Sequence, residues 1–285
     1  MPVRDLLAGV AGGDDRFEAS GILAAGDWFW VVFDNVPHIA RLDPHLIPGH
    51  GRNALLLQPP GPPGYEDIAH DPAGDRYFAL VEAVERRPGS YLAQVDEFDE
   101  AFRRLSSRWL DFPLDRPNKG LEGLTCLHRD GRTYLLGLSE GNRCRGGAAG
   151  RRPGGGRAHV FVEGAGGWQR LQTIRVPAIL PFSDYSSISA SGERIAVVSQ
   201  ESSALWVGRF GPSGWDPADA GVIYGFPRDE HGRTLYGTVE GVSWLAPDQV
   251  VVVSDRAKPD QPHRFRDKDQ AVHVFALDSS GPEDG

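Results

Sequence analysis

Apolar residues along this chain fall in short runs broken by turn-forming residues, and the runs recur as one unit. The stretch KGLEGLTCLHRDGRTYLLGLSE at 119–140 reads as an acid, an apolar strand, a charged turn and a second apolar strand ending in a polar cluster. Four relatives follow the same order: FEASGILAAGDWFWVVFDN from Phe17, YEDIAHDPAGDRYFALVEA from Tyr65, YSSISASGERIAVVSQES from Tyr185 and VEGVSWLAPDQVVVVSDRA from Val239. Each predicts a β-hairpin. A third strand follows every hairpin, in HIARLD, SYLAQVDEF, AHVFVEG, SALWVGRF and AVHVFAL, and a fourth follows four of them, in NALLLQP, RRLSSRWLDFP, WQRLQTIRVP and AGVIYGFP. The strongest helical candidate, DEFDEAFRRLSSRWL at 96–110, also fits strand, turn and strand. Val, Ile, Phe, Tyr and Trp bounded by Gly, Asp and Pro argue for an all-β chain.

Four strands recurring at roughly 46 to 64 residues, counted between Ser20, Glu66, Glu122, Ser186 and Glu240, predict the blades of a five-bladed β-propeller. The last unit has three strands of its own. VRDLLAGV at residues 3–10 has no blade to belong to and is expected to complete the last one, closing the ring and protecting its edges. The expected domain spans residues 1–278, with 279–285 a disordered tail.

Aligned on the order polar, any residue, aliphatic, the five units select Ser20, Glu66, Glu122, Ser186 and Glu240. Innermost propeller strands line the central channel, so these side chains are expected to converge. Carboxylates crowded on an axis repel and hold protons unless a cation lies between them. Oxygen donors without thiol or imidazole suit Ca²⁺, whose shell is flexible and completed by water. The order Ser, Glu, Glu, Ser, Glu at these positions resembles the calcium-activated nucleotidase (apyrase) family, a five-bladed propeller with Ca²⁺ in its channel. That resemblance implies metal ligation by the five residues and makes Asp34, in VVFDN, similar to an acidic active-site position. The phytase-like esterase propellers carry repeated E-G-[ILV] motifs too, so LEGL and VEGV alone do not separate the two families. The nucleotidases belong to the secretory pathway, whereas this chain shows neither a signal segment nor an apolar run able to span a bilayer, and is expected to be cytoplasmic, without a membrane partner.

Net charge of −9 leaves no basic field to draw nucleic acid. Two cysteines form no disulfide framework, and Cys126 reads as a small core residue. The G-K-[ST] ending of a P-loop and the GxSxG elbow are missing, and nine histidines without a spacing constraint define no Ser-His-Asp set. The loops on the channel's polar face carry the remaining candidates. Asp34, Glu82 and Glu140 are expected to orient or deprotonate a water, while Lys119, Asn142, Arg143, Tyr185 and Arg256 contact a small anionic substrate. GNRCRGGAAGRRPGGGR at 141–157, with five arginines and no acid, is expected to be a flexible loop able to fold over an anion. The leading expectation is a Ca²⁺-dependent hydrolase of a phosphoanhydride or phosphoester. A propeller that binds a ligand or protein around a structural ion, and a metal-dependent esterase or lactonase, remain as alternatives.

Overall fold

The computed structural model describes residues 1–10, 16–58, 64–114, 120–211 and 214–278. Each repeated hairpin closes antiparallel, because alternate apolar residues face neighbouring sheets while Gly and Asp supply the turns. The first sheet runs β1 (Ala19–Ala25), β2 (Trp28–Phe33), β3 (Ile39–Leu42), β4 (Ala54–Leu56). The next unit supplies β5 (Ile68–Asp71), β6 (Arg76–Arg87), β7 (Ser90–Phe98) and β8 (Arg104–Leu114). The opening stretch and its continuation supply β9 (Leu121–Arg129), β10 (Arg132–Ser139), β11 (Arg157–Gly164) and β12 (Gly167–Arg175). A further sheet runs β13 (Ser187–Ser191), β14 (Arg194–Ser199), β15 (Ala204–Arg209), β16 (Val222–Gly225), and the last runs β17 (Val239–Ala246), β18 (Gln249–Ser254), β19 (Val272–Ala276).

The second and third units do not stay separate. Their outer strands pair in parallel, Leu110 with Trp168 and Asp111 with Gln169, giving one eight-stranded sheet. Trp168 drives this seam. Its ring is fully buried, meets Phe78 edge-on at 5.5 Å, and its Nε1 donates to Glu97 at 3.2 Å. Arg108 reaches across to Glu163 at 2.5 Å.

The fold is all-β and propeller-like. Strands β1, β5, β9, β13 and β17 touch in succession, and β17 returns to β1. Between successive units lie apolar clusters such as Phe78, Leu80, Val95, Leu121, Leu124 and Leu135, each side chain contributing about 1.5–3 kcal/mol by its burial. Cys126 packs at the edge of this cluster, and burial pushes its thiol well above the ordinary range.

Residues 96–110 form strand, turn and strand. Asp96 and Glu97 lie buried at the end of β7, where Ser107 and Tyr65 donate to Asp96 and Ser106 donates to Glu97. Asp99 then caps the turn, accepting from the amides of Ala101 and Arg103 at 3.0 and 2.9 Å.

The N-terminal segment departs from expectation. Val3–Leu6 is a short helix, α1, and only residues 1–3 pair with the last sheet, through the Val3 amide to Gln270, the Val272 amide to Met1 and a bridge between Pro2 and Ala271. The reason is apolar spacing: Val3, Leu6 and Leu7, at helical intervals, are fully buried against Phe17, Leu42 and Val272. The segment's main role is therefore a plug between the first and last sheets. The expected tail, 279–285, lies outside the described residues. No helix among the described residues is long and apolar enough to cross a membrane.

Candidate functional site

Ser20, Glu66, Glu122, Ser186 and Glu240 all line one cavity of about 710 Å³ at one mouth of the ring. Ser20 lies in β1, Glu122 in β9 and Glu240 in β17, while Glu66 and Ser186 stand just ahead of β5 and β13. The two hydroxyls also tie sheets together, since Ser20 donates to the Tyr65 carbonyl at 2.5 Å and Ser186 to that of Val239 at 3.3 Å. Their lone pairs are the groups left for a ligand. Glu240 accepts from Gln200 Nε2 at 2.7 Å.

A second ring surrounds the same cavity, and sequence alignment on the first strands missed it as a ring. Asp34, Glu140, Gln200 and Asp255 stand just past the ends of β2, β10, β14 and β18, Glu82 stands inside β6 where its pairing with β7 shifts register after Val81, and all five line the cavity. The amides of Asp34, Glu140 and Asp255 bond to the carbonyls of Glu18, Gly120 and Thr238, each two residues before a first-ring position. The polar endings VVFDN, LSEG and VSDRA carried this signal. Asp255, which belongs to this ring, was not among the expected catalytic acids.

The two rings make a strongly acidic bowl. Burial, then Glu82 and Asp34, push Glu66 up to about 8. Burial, Glu66 and Glu82 hold Glu122 well above the carboxylate range, and burial with Asp255 and Asp34 does the same for Glu240, against the pull of Lys258. Burial and Glu18 raise Asp34 to about 6, while burial and Asp34 raise Asp255 to about 7. One oxygen on each of Asp34 and Asp255 is buried without a hydrogen-bond partner. In a low-dielectric wall such an oxygen calls for a donor or a cation.

The donor set fits a hard cation in kind: it is all oxygen, excess negative charge, and two aspartate oxygens without partners. It is not yet gathered around a point, since no three acidic, His or Cys side chains among the described residues stand close enough to hold an ion unaided.

The expected substrate contacts divide. Arg256 is exposed at the rim, 3.8 Å from Glu18. Arg143 is exposed and lines an adjoining cavity that shares Glu140 with the bowl. Lys119 lies outside the described residues. Lys258, on the same face, is the basic residue that lines the bowl among the described residues.

Tyr185 lines the bowl as expected of a substrate contact, whereas Asn142 lines neither the bowl nor the adjoining cavity and is a correction. Asn142 is fully buried; its Nδ2 donates to the Gly150 and Phe182 carbonyls at 2.8 and 3.1 Å, and its Oδ1 accepts from the Gly155 amide at 2.8 Å and the Tyr185 hydroxyl at 3.1 Å. Both polar groups of the Asn142 amide are thus already engaged, while the Tyr185 hydroxyl, donating to Asn142, keeps its lone pairs. Residues 141–157 are therefore a folded knot around Asn142, not the flexible loop expected from glycine content. Three of its arginines are also tied, Arg143 to the Arg152 carbonyl at 3.2 Å, Arg157 to the Gly155 and Gly156 carbonyls and Arg151 to Glu201 at 2.8 Å.

The middle position of each first-strand motif forms the bowl's floor. These residues are Gly21, Asp67, Gly123, Ser187 and Gly241. Asp67, fully enclosed, accepts from the Leu124 amide and the Ser187 hydroxyl, both at 2.9 Å, and Ser187 Oγ in turn accepts from the Val242 amide at 3.2 Å. A Cβ on Gly123 would lie 2.8 Å from the Ile188 nitrogen, and one on Gly241 2.8 Å from the Ile22 nitrogen. Beyond the floor opens a cavity of about 830 Å³ whose acids are Asp130 and Glu193, and it shares no lining residue with the bowl. Gly123→Ala is expected to cost about 1–3 kcal/mol through overpacking, read as a lower urea midpoint at unchanged slope. An unchanged midpoint would mean the floor is not closely packed.

No family model matches the chain. No curated protein matches it either. Solved structures similar to it include a Myxococcus xanthus glutaminyl cyclase, at 11% identity over 84% of this chain and 86% of that one, with a TM-score of 0.49. A PQQ-bound aldose sugar dehydrogenase from Streptomyces coelicolor matches at 13% identity over 96% and 98%, with a TM-score of 0.45. A chain of a nidogen/laminin complex matches at 10% identity over 83% and 72%, with a TM-score of 0.46. Neighbours so distant and so different in role say nothing about chemistry, which has to be argued from the bowl itself.

Proposed function

We propose that the chain is a five-bladed propeller hydrolase that acts, with a Ca²⁺ ion in its channel, on a small phosphoanhydride or phosphoester. The observation that carries this reading is the double acidic ring around one cavity, with two aspartate oxygens left unpartnered at its wall. Glu66, Glu122 and Glu240 would hold the ion, with the lone pairs of Ser20 and Ser186 and with water or substrate oxygen completing the shell. When bound, the ion supplies charge neutralisation and Lewis acidity toward a phosphoryl oxygen. Asp34, raised to about 6 by burial and Glu18, is poised to accept a proton from water near neutral pH. Asp255 stands beside it in charge, and Lys258 offsets negative charge on a bound anion. Glu82 and Glu140, from the next two units, would orient the water.

The test is hydrolysis of a panel of nucleotides and phosphate esters with Ca²⁺ and with EDTA. Turnover that needs Ca²⁺ and falls at least ~100-fold in Asp34→Asn supports the reading; turnover unchanged in EDTA, or none on any phosphate, defeats it.

One observation favours a second reading, in which the ion is structural. Ser20 and Ser186 already bind backbone across sheet boundaries, so an ion on their lone pairs would extend a tie between sheets. In that case Ca²⁺ raises the melting temperature while Asp34→Asn changes nothing measurable.

A further inference from the structure

Behind the Asn142 knot lies a group of reactive side chains that the bowl does not use. Cys144, half-buried and in left-handed backbone at φ 55°, places Sγ 3.6 Å from His159 Nε2. Ser139 Oγ stands 3.1 Å from the same nitrogen and 3.5 Å from Sγ. His159 Nδ1 lies 3.0 Å from Thr173 Oγ1, and the imidazole stacks on Phe112 at 3.9 Å. The ring is thus fixed on both faces of its chemistry: one nitrogen anchored, the other aimed at sulfur. Burial, with Arg170 and Arg157 nearby, holds His159 down to about 4, so it is neutral at physiological pH.

In front of the sulfur is a cavity of about 500 Å³ whose lining includes Ser139, Cys144, Arg143 and Arg145, with Glu140 its one acid among the described residues. Cys144 therefore stands between the cavity and a buried base. Cys126 also lines a cavity, the one of about 830 Å³, but has no imidazole within hydrogen-bond distance on the described contacts.

We propose that Cys144 is a nucleophilic thiol, with His159 as its proton acceptor, serving a cavity that selects small carbon electrophiles bearing a negative charge. With the Nδ1 proton donated to Thr173, the Nε2 lone pair takes the thiol proton as sulfur attacks. Arg143 and Arg145 favour both the developing thiolate and an anionic reactant. The left-handed turn keeps the sulfur at the cavity wall. This site stands apart from the phosphate chemistry of the bowl and survives its failure.

Iodoacetate and iodoacetamide are the probes, since they differ in charge and carry out one balanced step. The Sγ–C bond forms, the C–I bond breaks with its electrons leaving as iodide, and the thiol proton passes to Nε2. Alkylation of the full chain is followed at Cys144 and Cys126 by peptide mass spectrometry, with N-acetylcysteine as the free-thiol reference. Cys144 is expected to react at least ~10-fold faster than Cys126. Its iodoacetate-to-iodoacetamide rate ratio should exceed that of N-acetylcysteine at least ~5-fold. Arg145→Gln, at an exposed position, should slow iodoacetate ~3-fold or more beyond any slowing of iodoacetamide, lowering that ratio. His159→Gln should slow both reagents ~10-fold, and should that variant not fold, Thr173→Val, which removes only the Nδ1 partner, should slow both ~3-fold. A charge ratio equal to that of the free thiol, or alkylation indifferent to both Arg145 and the His159–Thr173 pair, overturns the proposal.

Discussion

Addition of Ca²⁺ is expected to raise the melting temperature by about 5–10 °C at a concentration ~100-fold above its dissociation constant, and by progressively less as pH falls from 8 to 5. The pH dependence follows from the bowl. Glu66 at about 8, Asp255 at about 7 and Asp34 at about 6 all titrate above their unfolded values, so the folded chain binds more protons than the unfolded one between about pH 4 and 8. The stability these groups contribute is fully present below their unfolded values and lost as pH rises through the folded ones. Without metal, the acidic rings therefore weaken the fold most near pH 8, where the carboxylates are ionised and repel. An ion that replaces those protons restores the loss, and it competes with them at pH 5.

His159 and His273, both held down to about 4 by burial, act in the opposite sense. Their neutral forms lose stability as pH falls from about 6.5 to 4. They lie outside the bowl's lining, so the difference between melts with and without Ca²⁺ cancels them and isolates the rings. A difference that is flat from pH 5 to 8 would show that the carboxylates do not meet the ion.

The second large effect concerns a residue that sequence reasoning assigned to the substrate. Asn142→Ala is expected to destabilise the protein by about 3–5 kcal/mol, since it strands several buried groups at about 1–3 kcal/mol each before relaxation. The stranded groups are the carbonyls of Gly150 and Phe182, the Gly155 amide and the Tyr185 hydroxyl. Asn142→Asp is expected to be at least as severe, because it turns a donor facing three carbonyls, those of Gly150, Phe182 and Ser183, into an acceptor. Urea unfolding reads both. A change below about 1 kcal/mol in Asn142→Ala would show that the loop holds its shape without that residue.

The strands were legible in the chain because their information is local. Continuous aromatic and β-branched runs such as YFALV or QVVVVS, and the turn residues beside them, require no knowledge of distant partners. The same holds for the first ring: Ser20, Glu66, Glu122, Ser186 and Glu240 are found by register alone, and they share a cavity as a repeated architecture demands. What stayed hidden depends on long-range packing. Val3, Leu6 and Leu7 stand at helical intervals, but so short a segment takes that form only because Phe17 and Val272 supply the surface it covers. The glycine-rich composition of 141–157 concealed the Asn142 knot, whose partners at 182, 183 and 185 lie some forty residues away. The Cys144–His159 pair likewise spans 15 residues with no spacing rule to mark it. The floor residues, one position past those selected, and the second ring, on or just past the strand that follows, were readable in principle, but only once the strands were known to meet.

The sealed floor at Gly21, Asp67, Gly123, Ser187 and Gly241 makes the bowl a dead end. On the proposed function, reactant and product use the same doorway, in opposite directions. Whatever is formed there has to clear the entrance before another molecule enters, so product is expected to compete with substrate for one occupancy, and a bulky rim substitution should slow arrival and departure alike.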